Sequence, residues 1–122
     1  MTEFERQAAD VTERLAALIY CQREGSAPSH WDLFQWGAVL VKVLDQIDEA
    51  TRVLTPQVEQ YGHPRILRDG EGWDPQYRLD TAGDELERLR EALAPAREAA
   101  RRYHRNIGHV GVVVDPDAEV QA

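Results

Sequence analysis

The sequence predicts an all-α fold: an antiparallel three-helix bundle with long kinked helices, an ordered 62–79 loop and a short extended C-terminal tail. Two seams predict it. Leu33, Trp36, Leu40, Val43, Ile47, Ala50 and Leu54 recur at alternating gaps of three and four residues, which sets them on one face of a helix. Ala82, Leu86, Leu89, Leu93, Ala96, Ala100, Tyr103 and Ile107 repeat the pattern and read as the packing partner of the first seam. A third stripe, Phe4, Ala8, Val11, Leu15 and Leu18, precedes both.

Helix one is expected over 2–24. Thr2 with Glu5 has the form of a capping box, and Gly25 stands where a left-handed terminator belongs. Gly25 to Pro28 is a short turn, so helix two reverses direction; Ser29 with Asp32 repeats the capping pattern and opens it. Trp31, Phe34 and Trp36 cluster in its first turns. An aromatic plug at one end of the bundle uses most of that surface, and any ring left over marks a contact surface. Thr55-Pro56 interrupts the seam, yet Val58 and Tyr61 keep its spacing, which predicts continuation through a kink to residue 61.

Residues 62–79 carry glycines, two prolines and the Asp69-Gly70 turn signal, and so read as a loop. Ile66, Leu67, Trp73 and Tyr77 give it more apolar surface than a disordered segment holds, so it folds onto the bundle or onto a partner. Helix three is expected over 80–107, capped by Asp80 or Thr81, with acids in its first turns and Arg97, Arg101, Arg102 and Arg105 near its end, as the helix dipole favours. Pro95 interrupts it without changing the phase of the seam. His109 to Val114 has the β-branched composition of a short strand, which needs a partner edge, in this chain or another. The domain is therefore 1–108, followed by a 109–122 tail.

With 122 residues, the chain has the length of one domain. Its 43% hydrophobic and 30% charged residues exclude a disordered class. No apolar run approaches the roughly 20 residues that cross a bilayer. The acidic N-terminal residues lack the features of an export signal, and the single cysteine, Cys21, excludes an internal disulfide. Both point to the cytoplasm, with Cys21 a packed hydrophobe rather than a nucleophile. Net charge is −8, which opposes binding to phosphate backbones.

The residue types present offer three chemistries. Asp45, Asp48 and Glu49 lie within one turn, with Asp84 and Glu87 on the other long helix. This layout resembles the all-helical nucleotide pyrophosphohydrolases, and the resemblance implies a divalent-metal-dependent nucleotide hydrolase. Against it, Val43, Leu44 and Ile47 occupy the seam where such enzymes place acids, and Arg52 is spaced to pair with Asp48. A solvated acidic face is the preferred reading. The arginines of 97–105 could contact nucleic acid, but dipole complementarity and intrahelical pairing explain them more simply. His30, His63, His104 and His109 have no ligand spacing for zinc.

The expectation is a non-catalytic protein-interaction module: an adaptor, inhibitor or small structural component with no cofactor and no metal. Its partner would meet the aromatic end of helix two (Trp31, Phe34, Trp36), the loop (Trp73, Tyr77) or the tail (Val112, Val113, Val114), with Arg101 and Arg105 nearby. A homodimer would equally complete a core of wide apolar faces.

Overall fold

The computed structural model describes residues 1–113, which are 76% helical, with no strand among them. The fold is all-α. Three helices follow one another: α1 (Glu3–Glu24), α2 (His30–Glu59) and α3 (Pro75–Gly108). The chain divides into two units, one containing Met1–Leu33 and the other Phe34–Gly111.

In the first unit, α1 starts where the sequence places it. Thr2 Oγ1 accepts from the Glu5 N–H at 3.1 Å, and Glu5 accepts from the Thr2 N–H at 2.9 Å, so two otherwise orphaned donors are satisfied. The helix ends at Gly25, whose backbone is extended (φ −74°, ψ 177°) rather than left-handed. What glycine supplies there is clearance: a Cβ would lie 2.8 Å from the Cys21 carbonyl oxygen. The expected buried stripe does not form. None of the residues of α1 is buried, Phe4 is 80% exposed, and Cys21 is exposed rather than packed. Amphipathic spacing defines a stripe on a helix, and burial requires a surface to meet it. Ser29 then caps α2 by accepting from the Asp32 N–H at 3.0 Å.

In the second unit, α2 and α3 pack antiparallel, as in a helical bundle. Gly37 faces His104, Asp45 reaches Arg97 and Glu59 meets Gly83. Pro56 lies inside α2 and Pro95 inside α3, so both helices run through their prolines. Just ahead of Pro56, Thr51 and Thr55 each donate a hydroxyl hydrogen bond back to the main chain at 2.7 Å, to Asp48 O and Thr51 O.

On α2 the contact seam lies one residue on from the predicted one, whereas on α3 Leu86, Leu93, Ala100 and Ile107 of the predicted seam take part and the positions between them shift by one. On α2 the buried positions are Gly37, Asp48, Thr51 and Thr55, with Val41 and Leu44 half-buried between them. On α3 they are Gly83, Leu93 and Ala100, with Leu86, Arg90, Arg97, His104 and Ile107 completing the row. Leu40, Ile47, Leu54 and Leu89, all assigned to the predicted seams, are exposed. Two physical reasons select the polar row. Gly37 and Gly83 let the helices approach closely; a Cβ at Gly37 would sit 2.5 Å from His104 Nδ1. Arg97 then bridges the helices to Asp45 at 2.8 Å and Asp48 at 3.2 Å.

Helix three begins earlier than predicted. Asp74 is its N-cap, accepting from the Gln76 N–H at 3.1 Å, with Pro75 in the first turn. This pairing satisfies one orphan donor and places proline where its missing N–H costs nothing. The connection between α2 and α3 is therefore 60–74, shorter than the expected 62–79 loop. In the tail, residues 110–113 form no strand. Valine-rich composition favours an extended chain only where an edge accepts its backbone. Val114 and the rest of the tail lie outside the described residues.

Candidate protein-interaction surface

The turn end of the hairpin is built around Asp69. Its carboxylate accepts from the Glu71 N–H at 2.9 Å and the Trp73 N–H at 3.0 Å, and from Arg78 Nε at 2.9 Å. The Trp73 N–H, then burial in opposition, then Arg78 set its acidity, and the balance holds the carboxyl below its ordinary value. Gly72 (φ 83°) supplies the left-handed residue this tight turn requires, and its N–H donates to Asp69 O at 3.2 Å. Arg78 in turn binds Glu71 at 3.1 Å and lies 5.4 Å from the centre of the Trp73 ring.

These bonds hold the main chain of the turn at Trp73, where two aromatic rings stand in view of solvent. Trp73 and Tyr77 stack with centroids 5.9 Å apart at 21°, and both stay more than half exposed. In the same connection Arg65 covers the Tyr61 ring at 4.3 Å, and Ile66 is fully exposed. A shallow cleft of about 220 Å³ runs between Gly62, Arg65, Leu67, Asp74, Pro75 and Gln76. Tryptophan, tyrosine and arginine held rigid before a partner arrives are the side chains that dominate protein–protein affinity, because little rotamer entropy is left to lose.

The other predicted contact residues separate. Phe34 stacks on His104 at 4.4 Å and presses against Gly108, so it plugs the opposite end of the hairpin. The Phe34 carbonyl can only accept, so His104 Nδ1, 3.2 Å away, carries the proton. Trp36 is half-buried, and Trp31 is 64% exposed. These rings belong to the start of α2, whereas Trp73 follows its far end, about 45 Å along a 30-residue helix. Phe34 and Trp36, in the same unit as Trp73, do not share a surface with it. Val112 and Val113 are exposed, Arg105 is exposed in the last turn of α3, and Arg101 binds Asp45 at 3.2 Å.

Asp48 puts an acid within the seam, where the sequence predicts only apolar side chains on α2. It is buried, hydrogen-bonded by Arg52 at 2.9 Å, and faced by Arg97 at 3.2 Å and Arg90 at 3.8 Å. The Arg52 bond, more than any other influence, holds its carboxyl below the ordinary value against the opposing effect of burial. Arg90 Nε is buried without a hydrogen-bond partner. Asp45 and Glu87 are likewise met by guanidiniums, at 2.8 Å from Arg97 and 3.4 Å from Arg90. Among the described residues no three His, Cys, Asp or Glu side chains come together as metal ligands. The anticipated Glu98–Arg102 pair forms at 3.6 Å, while Arg88 pairs with Glu85 instead of Asp84. Among the described residues no helix is long and apolar enough to cross a membrane.

The sequence matches no protein-family model, and no characterised protein or solved structure is significantly similar to it. The signal for the Asp69 turn was visible as Asp69-Gly70. Its coupling to Arg78 and the Trp73–Tyr77 stack was not, because it needs α3 to begin at Pro75.

Proposed function

We propose that this chain is a non-catalytic protein-interaction module of the cytoplasm, an adaptor, inhibitor or small structural component. It binds a protein partner through the turn end of the α2–α3 hairpin. The observation that supports this reading is the Trp73–Tyr77 stack, exposed yet held by the Asp69 and Arg78 bonds. Exposed aromatic surface costs solubility, and rigid exposed aromatic surface suits recognition.

Affinity capture with the full chain, compared with Trp73→Ala and Tyr77→Ala, tests it. Each variant is expected to keep its helicity and to weaken a specific partner by about 2 kcal/mol, some 30-fold in Kd. Equal recovery by wild type and both variants removes the assignment.

A further inference from the structure

The connection between α2 and α3 uses its two signs of charge differently. Its carboxylates are engaged from within. Asp69 accepts through both oxygens, from Arg78 on one and from the Glu71 and Trp73 N–H groups on the other. Glu71 meets Arg78, and Asp74 caps α3 at the Gln76 N–H. The arginines of the connection are not matched in this way. The stretch from Gln60 to Arg68 contains Arg65 and Arg68 and no acid. Both arginines are exposed, and neither is ion-paired with a carboxylate among the described residues. Along the helices the opposite holds: Arg52, Arg88, Arg90 and Arg97 each meet one. Arg65 is nonetheless held in place. Its Nη1 donates to Tyr61 O at 3.0 Å and its guanidinium covers the Tyr61 ring, which leaves the other N–H groups of the fork unused. It lines the shallow cleft together with Asp74, Pro75 and Gln76, the stretch of chain between Trp73 and Tyr77.

We propose that the partner is an acidic protein segment, which presents carboxylates to Arg65 and Arg68 and an apolar side chain to the exposed rings. This rests on the reading of the turn end as the partner-binding surface and specifies the chemistry of what binds there. A guanidinium already stacked on a ring has little rotamer freedom to lose, and it offers a carboxylate two parallel donors. The carboxylates of the turn, engaged elsewhere, do not compete for it. Ile66, fully exposed between the two arginines in sequence, adds apolar contact beside the charge. A nucleic acid fits less well. Its strand carries a charge at every nucleotide, so it would set phosphates against Glu71 and Asp74 as well as against the arginines, on a chain of net charge −8. A peptide can place a carboxylate at each arginine and uncharged residues at Glu71 and Asp74.

Selection of random short peptides displayed on phage against the full chain tests this. The recovered peptides are expected to carry Asp or Glu beside an aromatic or aliphatic residue. Arg65→Gln and Arg68→Gln are each expected to weaken a synthetic copy of a recovered peptide about 10-fold, and Arg88→Gln, an exposed position on α3, to leave it unchanged. Response to the arginine variants without response to Trp73→Ala supports the acidic contact and removes the aromatic pair from the site. Peptides that respond to Trp73→Ala but to neither arginine variant, or that are rich in Lys and Arg, overturn the acidic partner and leave the turn end as the binding surface. Peptides that respond to none of these variants overturn both readings, and failure to recover any peptide overturns the acidic segment. A short single-stranded RNA that binds more tightly than the recovered peptides, and is lost on Arg65→Gln, overturns the protein partner in favour of nucleic acid.

Discussion

Gly37 and Asp48 decide how α2 meets α3. Gly37 leaves room for the His104 ring, which stacks on Phe34 and binds its carbonyl. Any side chain there pushes into that ring. Gly37→Ala is therefore expected to destabilise the hairpin by about 1–3 kcal/mol, the usual cost of overpacking, although alanine is the better helix former. Chemical denaturation measures this, and a stabilised variant would show that the close approach is not needed. Asp48 acts through charge rather than shape. It places one carboxylate among Arg52, Arg90 and Arg97, an arrangement that tolerates no loss of the anion, because three guanidiniums would then face each other. Both residues were visible in the sequence. Their roles were not, because glycine and aspartate on a helix read as weak points or solvent-facing positions until a partner helix supplies His104 and Arg97.

Helix ends are local events, and most were legible. Thr2 with Glu5 and Ser29 with Asp32 form the caps that their spacing announces. Asp74-Pro75 carries the same kind of signal, an acceptor followed by a residue with no donor to satisfy, but the later cap at Asp80 or Thr81 drew the prediction. Asp74→Ala is expected to cost about 1 kcal/mol and to fray the first turn of α3, where Gln76 bonds Asp80 at 2.9 Å. Hydrogen exchange at Gln76 and Tyr77 reads this directly. Protection unchanged from wild type would show that the aromatic stack, not the cap, holds the turn. Pro56 and Pro95 show the limit of a local rule: tertiary packing carries both helices through residues that would break them in isolation.

At the scale of the molecule, carboxylates held by arginines or by backbone donors set the response to acid. Asp48 and Asp69 have folded values below their ordinary 3.8, and Glu3, bonded by Arg6, lies below 4.5. Each carboxylate is charged in both folded and unfolded chains at neutral pH, so its full stabilisation is present there. As pH falls below the ordinary values the unfolded chain takes up protons first, and the advantage is lost as the folded values are passed. Tm is expected to be level from neutral pH down to the ordinary carboxylate range and to drop below it. Asp48→Asn should lower Tm at neutral pH and make the acid decline shallower. A decline as steep as that of wild type would remove Asp48 from this role.

By itself the sequence determined the three helices, the caps at Thr2 and Ser29 and the all-α class, because these depend on neighbours a few residues apart. Only the tertiary structure decided which face of α2 meets α3. Leu40, Ile47 and Leu54 form one heptad row, and Gly37, Leu44 and Thr51 form another a few positions round the helix. Apolar content alone favours the first. Close approach at Gly37 and Gly83 and the Asp48–Arg97 pair select the second, since both require atoms on the facing helix. The aromatic site follows the same division. Trp73 and Tyr77 were legible as surplus apolar surface, but their stacking required α3 to begin at Pro75 and bring Arg78 back onto Asp69.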